Sequence, residues 1–150
     1  MRNLILSGII IFSKLKMKTL RSISMNFEKE WIKHFTKDVS KKDLDFRVRD
    51  SGNFIWHAFL DLIDKGSYLV GNETRKAFDK VNKVGAIYFF PWDENKAFEN
   101  NIEEINADML DRYDEVYLVA SDWSWTNIKT HEEGFGPYFY YIRGNHNMEV

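Results

Sequence analysis

An α+β domain is the fold class that the sequence predicts, with N-terminal helices packed on one face of a mainly antiparallel C-terminal sheet. Two observations predict it. Apolar residues in the first half of the chain recur at the spacing of amphipathic helices, whereas the second half holds short apolar or alternating runs that are typical of strands. Because these segments are separated along the chain and do not alternate, parallel βαβ units are disfavoured. A chain of 150 residues has the length of one domain.

Residues 1–25 differ from the rest of the chain. Leu4 to Phe12 is mostly apolar but far shorter than the ~20 residues needed to cross a bilayer, and the basic segment after it lacks the usual cleavage site of a signal peptide. Three interpretations stay open: a signal-like or membrane-touching segment, a loose N-terminal arm, or an upstream extension read from a wrong start codon. In the last case Met17 or Met25 is the true start. The last two are preferred, because the helical pattern begins only after Met25, and the domain is predicted at residues 26–150.

The first helix is predicted to begin at Asn26, whose side chain can accept a hydrogen bond from the backbone of the first turn. Phe27, Trp31 and Phe35 follow at intervals of four residues and give the helix one apolar face. The pattern ends near Ser40, where a polar connection begins.

Two further helices and a short final one are predicted before the last strands. The second ends at Gly66 and carries a double apolar stripe. The residues of this stripe are Phe54, Ile55, Ala58, Phe59, Leu62 and Ile63. The third helix is capped at Asn72 and ends at Gly85, and the short one is capped at Asn106. Weak alternation over Phe46 to Arg49 indicates a short strand before the second helix.

The strands of the second half are predicted from two kinds of pattern. Ala86 to Phe90 and Val116 to Ala120 are unbroken apolar runs, which suit strands covered on both faces. Trp125 to Lys129 alternates with period two, and we expect it to form an antiparallel hairpin with the strand before it. An edge strand is expected near Ala97, and Tyr138 to Ile142 is expected to close the sheet.

Composition excludes several classes of function. The formal net charge is −2 with acids and bases mixed along the chain, so the clustered Lys and Arg of a nucleic-acid-binding protein are missing. No cysteine is present, which excludes disulfides, thiolate zinc sites and thiol nucleophiles and makes a cytoplasmic location the simpler interpretation. There is no glycine-rich phosphate loop and no paired metal-ligand spacing. The sequence therefore predicts no cofactor, no metal, and neither a nucleic acid nor a membrane as partner.

The segment with the most chemical potential is His131-Glu132-Glu133, which the sequence places in a loop. An imidazole beside carboxylates can act as a general base or supply metal ligands. The zinc-protease pattern is excluded, because Phe135 stands four residues after His131. The commoner interpretation is that His131 and Glu132 stabilise the loop through hydrogen bonds. His57 lies beside the apolar stripe of the second helix, where a histidine is usually a residue of the core edge.

Several segments of the chain together point to one family. They are Trp56-His57-Ala58-Phe59, Ala77-Phe78, Tyr88-Phe89-Phe90 and, above all, Asp114-Glu115-Val116-Tyr117-Leu118-Val119, Trp125-Thr126, Lys129-Thr130-His131-Glu132 and Gly136-Pro137-Tyr138-Phe139. Through them the chain resembles, over roughly residues 27–142, the small bacterial family called domain of unknown function 4275. Where the family pattern favours a charged Asp-Lys turn followed by an aromatic residue, this chain has Ala120-Ser121-Asp122-Trp123. The residues before Met25 lie outside the resemblance.

What the resemblance implies about function is limited, because the family has no settled activity. It implies a small, single-domain, cytoplasmic protein, similar in form to the bacterial immunity proteins that neutralise a cognate toxin. Similarity of form does not establish function.

Two functions of different classes follow as hypotheses. The preferred one is a protein-binding module of the immunity type, because the chain is rich in aromatic residues and carries no catalytic motif. Trp92, Trp123 and Trp125 stand in or beside turns, where some exposure is expected. The alternative is a small enzyme or ligand-binding domain that uses a site at His131 and Glu132. Membrane attachment through Leu4 to Phe12 is a third, weaker hypothesis.

The candidate binding residues under either of the first two hypotheses are Trp123, Trp125, Thr126, His131, Glu132, Tyr138 and His57. The enzyme hypothesis expects five of them, namely His131, Glu132, Trp125, Thr126 and His57, to meet at one site. No catalytic residue and no oligomeric state are predicted.

Overall fold

The computed structural model describes residues 20–50, 54–91, 96–100 and 105–142. These residues form seven strands and five α-helices. The strands are β1 Leu20–Ile23, β2 Tyr68–Val70, β3 Ile87–Phe90, β4 Lys96–Asn100, β5 Val116–Val119, β6 Trp125–Lys129 and β7 Tyr138–Tyr141. The helices are α1 Phe27–Phe35, α2 Lys41–Leu44, α3 Ala58–Asp61, α4 Asn72–Lys80 and α5 Ala107–Leu110. Trp92, Leu4 to Phe12 and Met17 lie outside the described residues.

All seven strands pair antiparallel in one sheet, in the order β1-β4-β3-β5-β6-β7-β2. The α+β class and the antiparallel sheet are therefore confirmed. Two details differ from the expectations. The strand near Ala97 is β4, which lies between β1 and β3 and not at an edge. The last strand, β7, is not at the edge of the sheet, because the short strand β2 (Tyr68–Val70) pairs along its outer side.

Helix α1 forms where the sequence predicts it. The Asn26 side chain accepts a hydrogen bond from the Lys29 backbone N–H at 3.1 Å. Phe27, Trp31 and Phe35 are buried on one side of the helix. Four-residue apolar spacing and a polar cap are sufficient to define this helix.

The second predicted helix is much shorter than its apolar stripe. Ile55–His57 form a 3₁₀ turn, and α3 adds only Ala58–Asp61. The strand predicted at Phe46 to Arg49 is wrong, because Asp45–Arg49 form a π-helical turn that continues α2. Leu44 and Val48 are both buried, and a four-residue spacing brings them to the same side of a helix but not of a strand.

The sheet has a hydrophobic cluster on each face. Helices α1 to α3 cover the face that carries Phe89, Tyr117 and Ile128. Helices α4 and α5 cover the opposite face, which carries Tyr88 and Leu118. The N-terminal helices thus share one face as predicted, and the second helical layer is an addition to that prediction. Burial on both faces explains why β3 and β5 read as unbroken apolar runs.

The first strand corrects the predicted domain boundary. Leu20–Ile23 pair with β4, with Leu20 opposite Asn100 and Ile23 opposite Ala97. These residues belong to the segment that the sequence analysis assigns to an N-terminal extension, so the folded domain begins before residue 26. The basic residues around them obscured the strand, since its backbone hydrogen bonds do not depend on apolar side chains. Within the described part of the chain, no helix has the length and apolarity needed to cross a membrane.

Candidate functional site

The β5–β6 hairpin brings two distant parts of the sequence together. Val116 lies opposite Lys129 in the antiparallel register. Glu115, just before β5, therefore meets the segment that follows β6, which begins with Thr130 and His131. The segment Thr130 to Gly136 connects β6 towards β7 and is called the 130–136 loop below.

The Glu115 carboxylate is completely enclosed and is satisfied by three donors. Its Oε1 lies 2.5 Å from His131 Nδ1 and 3.2 Å from the His131 backbone nitrogen. Its Oε2 accepts a hydrogen bond from the Tyr117 hydroxyl at 3.1 Å. Because a carboxylate only accepts, the imidazole proton facing it is carried by Nδ1. An enclosed carboxylate without such partners would be costly, so these contacts hold His131 in one orientation.

The second nitrogen of His131 also faces a carboxylate. His131 Nε2 lies 3.5 Å from Glu132 Oε1. The His131 side chain is 20% exposed, and that of Glu132 is 48% exposed. The Phe54 ring meets the imidazole edge-on, with 4.9 Å between ring centroids. His131 therefore links an enclosed acid to a surface acid, which limits its freedom to act as a general base.

His57 belongs to the same neighbourhood. Its ring lies 4.2 Å from that of Trp56, and Trp56 also contacts the His131 ring at 6.2 Å. Burial lowers the pKa of His57, while the Glu132 and Glu115 carboxylates partly oppose that shift. A histidine with a lowered pKa is uncharged at neutral pH. The indole nitrogen of Trp56 is buried and has no hydrogen-bond partner among the described residues.

Glu115 affects the ionisation of two further groups. Burial, with a smaller contribution from Glu115, raises the pKa of Glu28. Burial and Glu115 also raise the pKa of the Tyr117 hydroxyl well above its ordinary value, although a hydrogen bond from the Trp56 backbone opposes the shift. Tyr117 is therefore a permanent donor to Glu115 at neutral pH.

The 130–136 loop is held by its own hydrogen bonds. The single proton of the Thr130 hydroxyl is shared between the carbonyl oxygens of Phe135 and Glu132, with Phe135 the nearer. The Phe135 N–H donates to the Glu132 carbonyl at 3.3 Å. Gly134 and Gly136 have φ angles of +89° and +84°, which glycine adopts readily. The loop ends in a cis Gly136–Pro137 peptide bond.

Phe135 is the exposed apolar residue of this loop. Its side chain is 42% exposed. The centroid of its ring lies 5.8 Å from that of Trp56. One part of the ring thus rests on the buried core, while the remainder faces solvent.

The other predicted site residues occupy different surroundings. Trp125 packs on Phe78 and Phe139 in the cluster of the opposite sheet face, so the structure does not bring it to His131. Thr126 is a core residue, accepting a hydrogen bond from the Trp31 indole at 2.9 Å and donating to the Leu118 carbonyl. Consecutive residues of a strand point to opposite faces, which separates this pair.

Tyr138 lies under the 130–136 loop and shares the Trp56 contact with His131, whereas Trp123 lies elsewhere. Tyr138 is buried beneath the loop, with its ring stacked 4.7 Å from that of Phe59. Trp123 occupies the β5–β6 turn at the other end of the hairpin, and its ring stacks on His34 at 4.6 Å. Trp123 has a φ of +60°, an unusual value for a bulky residue.

Glu115 and Tyr117 are the site residues that sequence analysis missed. A usable signal was present, because the predicted β5–β6 hairpin implies that the residue before β5 lies beside the residues after β6. Among the residues that the structure describes, no group of three or more His, Cys, Asp or Glu side chains is arranged to hold a metal ion.

Comparison with known proteins identifies a family. No curated protein and no solved structure gives a significant match. The family model described as "Domain of unknown function (DUF4275)" matches residues 6–139, so the match begins well before the predicted start of the resemblance at residue 27. Because these residues make up most of the chain, the protein belongs to the DUF4275 family of domains of unknown function.

Proposed function

We propose that the protein is a protein-binding module and that its contact surface is the 130–136 loop. The observation that carries this proposal is Phe135, an aromatic side chain that is 42% exposed on a loop held by internal hydrogen bonds. Aromatic residues are enriched in the buried centres of protein interfaces, where they contribute a large share of the binding free energy.

The hydrogen bonds of the loop support binding as well as folding. A flexible loop loses conformational entropy when a partner orders it, and that loss weakens the complex. Here the Thr130 hydroxyl and the Glu115–His131 contact hold the backbone before any partner arrives. Phe135 is supported from below by Trp56. The loop can therefore bind a partner with little further ordering.

A second aromatic position supports a protein partner. The Trp123 side chain is half-buried and lies in the β5–β6 turn, whereas Trp125 is buried in the core. Trp123 is thus the tryptophan of this pair that can reach a partner.

The narrower form of the proposal is an immunity-type protein of the bacterial cytoplasm that neutralises a toxin by direct contact. The small size of the chain and the lack of cysteine support it. The mixed charge along the chain supports a protein partner over a nucleic acid.

The test is capture of a partner by the full chain from extract of its own cells, compared with Phe135→Ala and Phe46→Ala variants. Phe46 is a matched control, because it is an exposed phenylalanine on the π-helical turn after α2. We expect the same partner on the wild type and Phe46→Ala and its loss from Phe135→Ala, with all three equally folded by circular dichroism. Retention of that partner by Phe135→Ala would refute the assignment of the surface.

A second function is favoured by one contact. The 2.5 Å approach of Glu115 to His131 Nδ1 resembles the way a carboxylate orients a catalytic imidazole, so a small enzyme or ligand-binding domain that uses His131 and Glu132 is the alternative. A thermal-shift screen of small molecules tests it. A compound that stabilises the wild type and Phe135→Ala but not His131→Asn would favour this alternative over the binding module.

A further inference from the structure

The charged side chains that the 130–136 loop exposes are acidic. Glu132 and Glu133 are both exposed, and residues 130–142 contain no Lys or Arg. The nearest lysine in sequence, Lys129, directs its Nζ to the carbonyl oxygens of Tyr113 and Asp114. The Lys129 ammonium is thus engaged by main-chain carbonyls.

The groups behind the loop do not reverse this charge. His57 is uncharged at neutral pH because burial lowers its pKa. The enclosed Glu115 carboxylate lies against His131 at the start of the loop. His131 is the imidazole that stands between Glu115 and Glu132. The exposed carboxylates of Glu132 and Glu133 beside Phe135 therefore attract cations and repel anions.

An exposed aromatic ring and a carboxylate on one tight turn suit a particular kind of ligand. The Phe135 N–H bonds to the Glu132 carbonyl at 3.3 Å, so both residues belong to the same turn. A guanidinium group can stack on an aromatic face and pair with a carboxylate at the same time, because it is planar and has five N–H donors. Glu132 faces His131 through Oε1, and a carboxylate has enough acceptor positions for a second donor.

We propose that the 130–136 loop binds an arginine-bearing basic segment of a partner protein, with the guanidinium over Phe135 and paired with Glu132. This inference rests on the proposed function and names the chemistry of its partner. An acidic partner would be repelled by Glu132 and Glu133. A purely apolar partner would have to cover both carboxylates without pairing them, which is unfavourable.

A displayed library of random twelve-residue peptides, selected on the full chain, provides the probe. We expect the selected peptides to be enriched in arginine and to bind less tightly as salt concentration rises. We expect Glu132→Gln/Glu133→Gln to weaken their binding about tenfold, since the ion pair with Glu132 and the attraction of the neighbouring Glu133 charge are both lost. Phe135→Leu should weaken it about threefold, because leucine keeps apolar area but loses the aromatic face.

Two variants serve as matched controls. Glu73→Gln removes an exposed acid on α4, where it pairs with Lys76, and Phe46→Leu alters an exposed phenylalanine elsewhere. Neither should change peptide binding. A cycle that combines Glu132→Gln with an Arg→Gln change in the peptide should show that the two losses are not additive, which identifies the pair directly.

The outcomes separate this inference from the proposed function. Selected peptides without basic residues, lost in Phe135→Leu but retained by Glu132→Gln/Glu133→Gln, would overturn the basic partner and leave the binding surface standing. Selected peptides enriched in lysine rather than arginine, with no coupling free energy to Glu132 in the cycle, would overturn the stacked guanidinium. Peptides unaffected by either variant would overturn both proposals.

Discussion

The two ends of the β5–β6 hairpin reach ordered conformations in different ways. At the Glu115 end, polar contacts hold His131, and glycines supply the positive φ angles at positions 134 and 136. At the turn end, Trp123 itself has a φ of +60°, and its ring stacks on His34 and contacts Phe27. A positive φ costs a non-glycine residue about 1–2 kcal/mol. Aromatic packing at one end thus offsets a strain that glycine avoids at the other.

The largest predicted effect is on the polar end. Glu115→Ala leaves the Tyr117 hydroxyl and the His131 Nδ1–H without their buried acceptor, and we expect the free energy of unfolding to fall by about 3 kcal/mol. Urea unfolding followed by fluorescence measures it. Glu133→Ala, an exposed change in the same loop, should stay within about 0.5 kcal/mol of the wild type. Equal stability of the two variants would contradict the role of Glu115.

The loop glycines give the next effect and allow strain to be separated from crowding. A Cβ at Gly136 would lie 3.3 Å from two atoms of the Tyr138 ring, whereas at Gly134 nothing lies within 4 Å. Both residues have positive φ, so Gly134→Ala should destabilise by about 1 kcal/mol and Gly136→Ala by about 2 kcal/mol or more. Thermal unfolding compares the two. The reverse order would mean that the loop moves to accept the side chain at position 136.

At the turn end, a comparison of glycine with alanine at position 123 tests whether the positive φ strains the backbone. Glycine normally destabilises relative to alanine, but at a φ of +60° it should be the better residue. We therefore expect Trp123→Gly to be more stable than Trp123→Ala by about 1 kcal/mol, with both variants less stable than the wild type because they lose the stack on His34. Urea titration of the pair measures the difference. A less stable glycine variant would show that the turn relaxes when the tryptophan is removed.

The smallest effect is a pH dependence at the polar end. Because burial lowers the pKa of His57 in the folded state, the unfolded state binds the proton more readily. The stability associated with neutral His57 is complete above the unfolded pKa of about 6.5 and is lost as pH falls through the folded-state pKa. The unfolding midpoint should therefore fall less between pH 7 and pH 5 in His57→Gln than in the wild type. Identical pH profiles would remove His57 from this dependence.

Sequence periodicity predicted the parts of the fold that follow from local pattern. In helix α1 and strands β3, β5 and β6, the spacing of apolar residues in the sequence shows which side chains are buried. Each of these elements forms close to its predicted position. Strand β1 was missed because its place in the sheet comes from pairing with β4 and not from an apolar pattern. The second predicted helix is too long. A 3₁₀ turn followed by one short helix can bury the same apolar stripe, so the stripe alone does not define the length of the helix.

The candidate site was predicted only in part. His131, Glu132 and His57 do share a neighbourhood, but the carboxylate that orients His131 stands 16 residues earlier in the chain. Finding Glu115 required the register of the hairpin, which depends on tertiary pairing. Trp125 was grouped with Thr126 because they are adjacent in sequence, although a strand sends them to opposite faces.

Neighbouring residues of the 130–136 loop have different roles. Thr130, His131, Gly134 and Gly136 determine the backbone path, while the side chains of Glu132, Glu133 and Phe135 are exposed. The exposed side chains therefore contribute less to the backbone conformation than the residues that hold it. If the loop binds a partner as proposed, the choice of partner can change among related chains while the scaffold stays the same. In such a segment, recognition can evolve independently of stability.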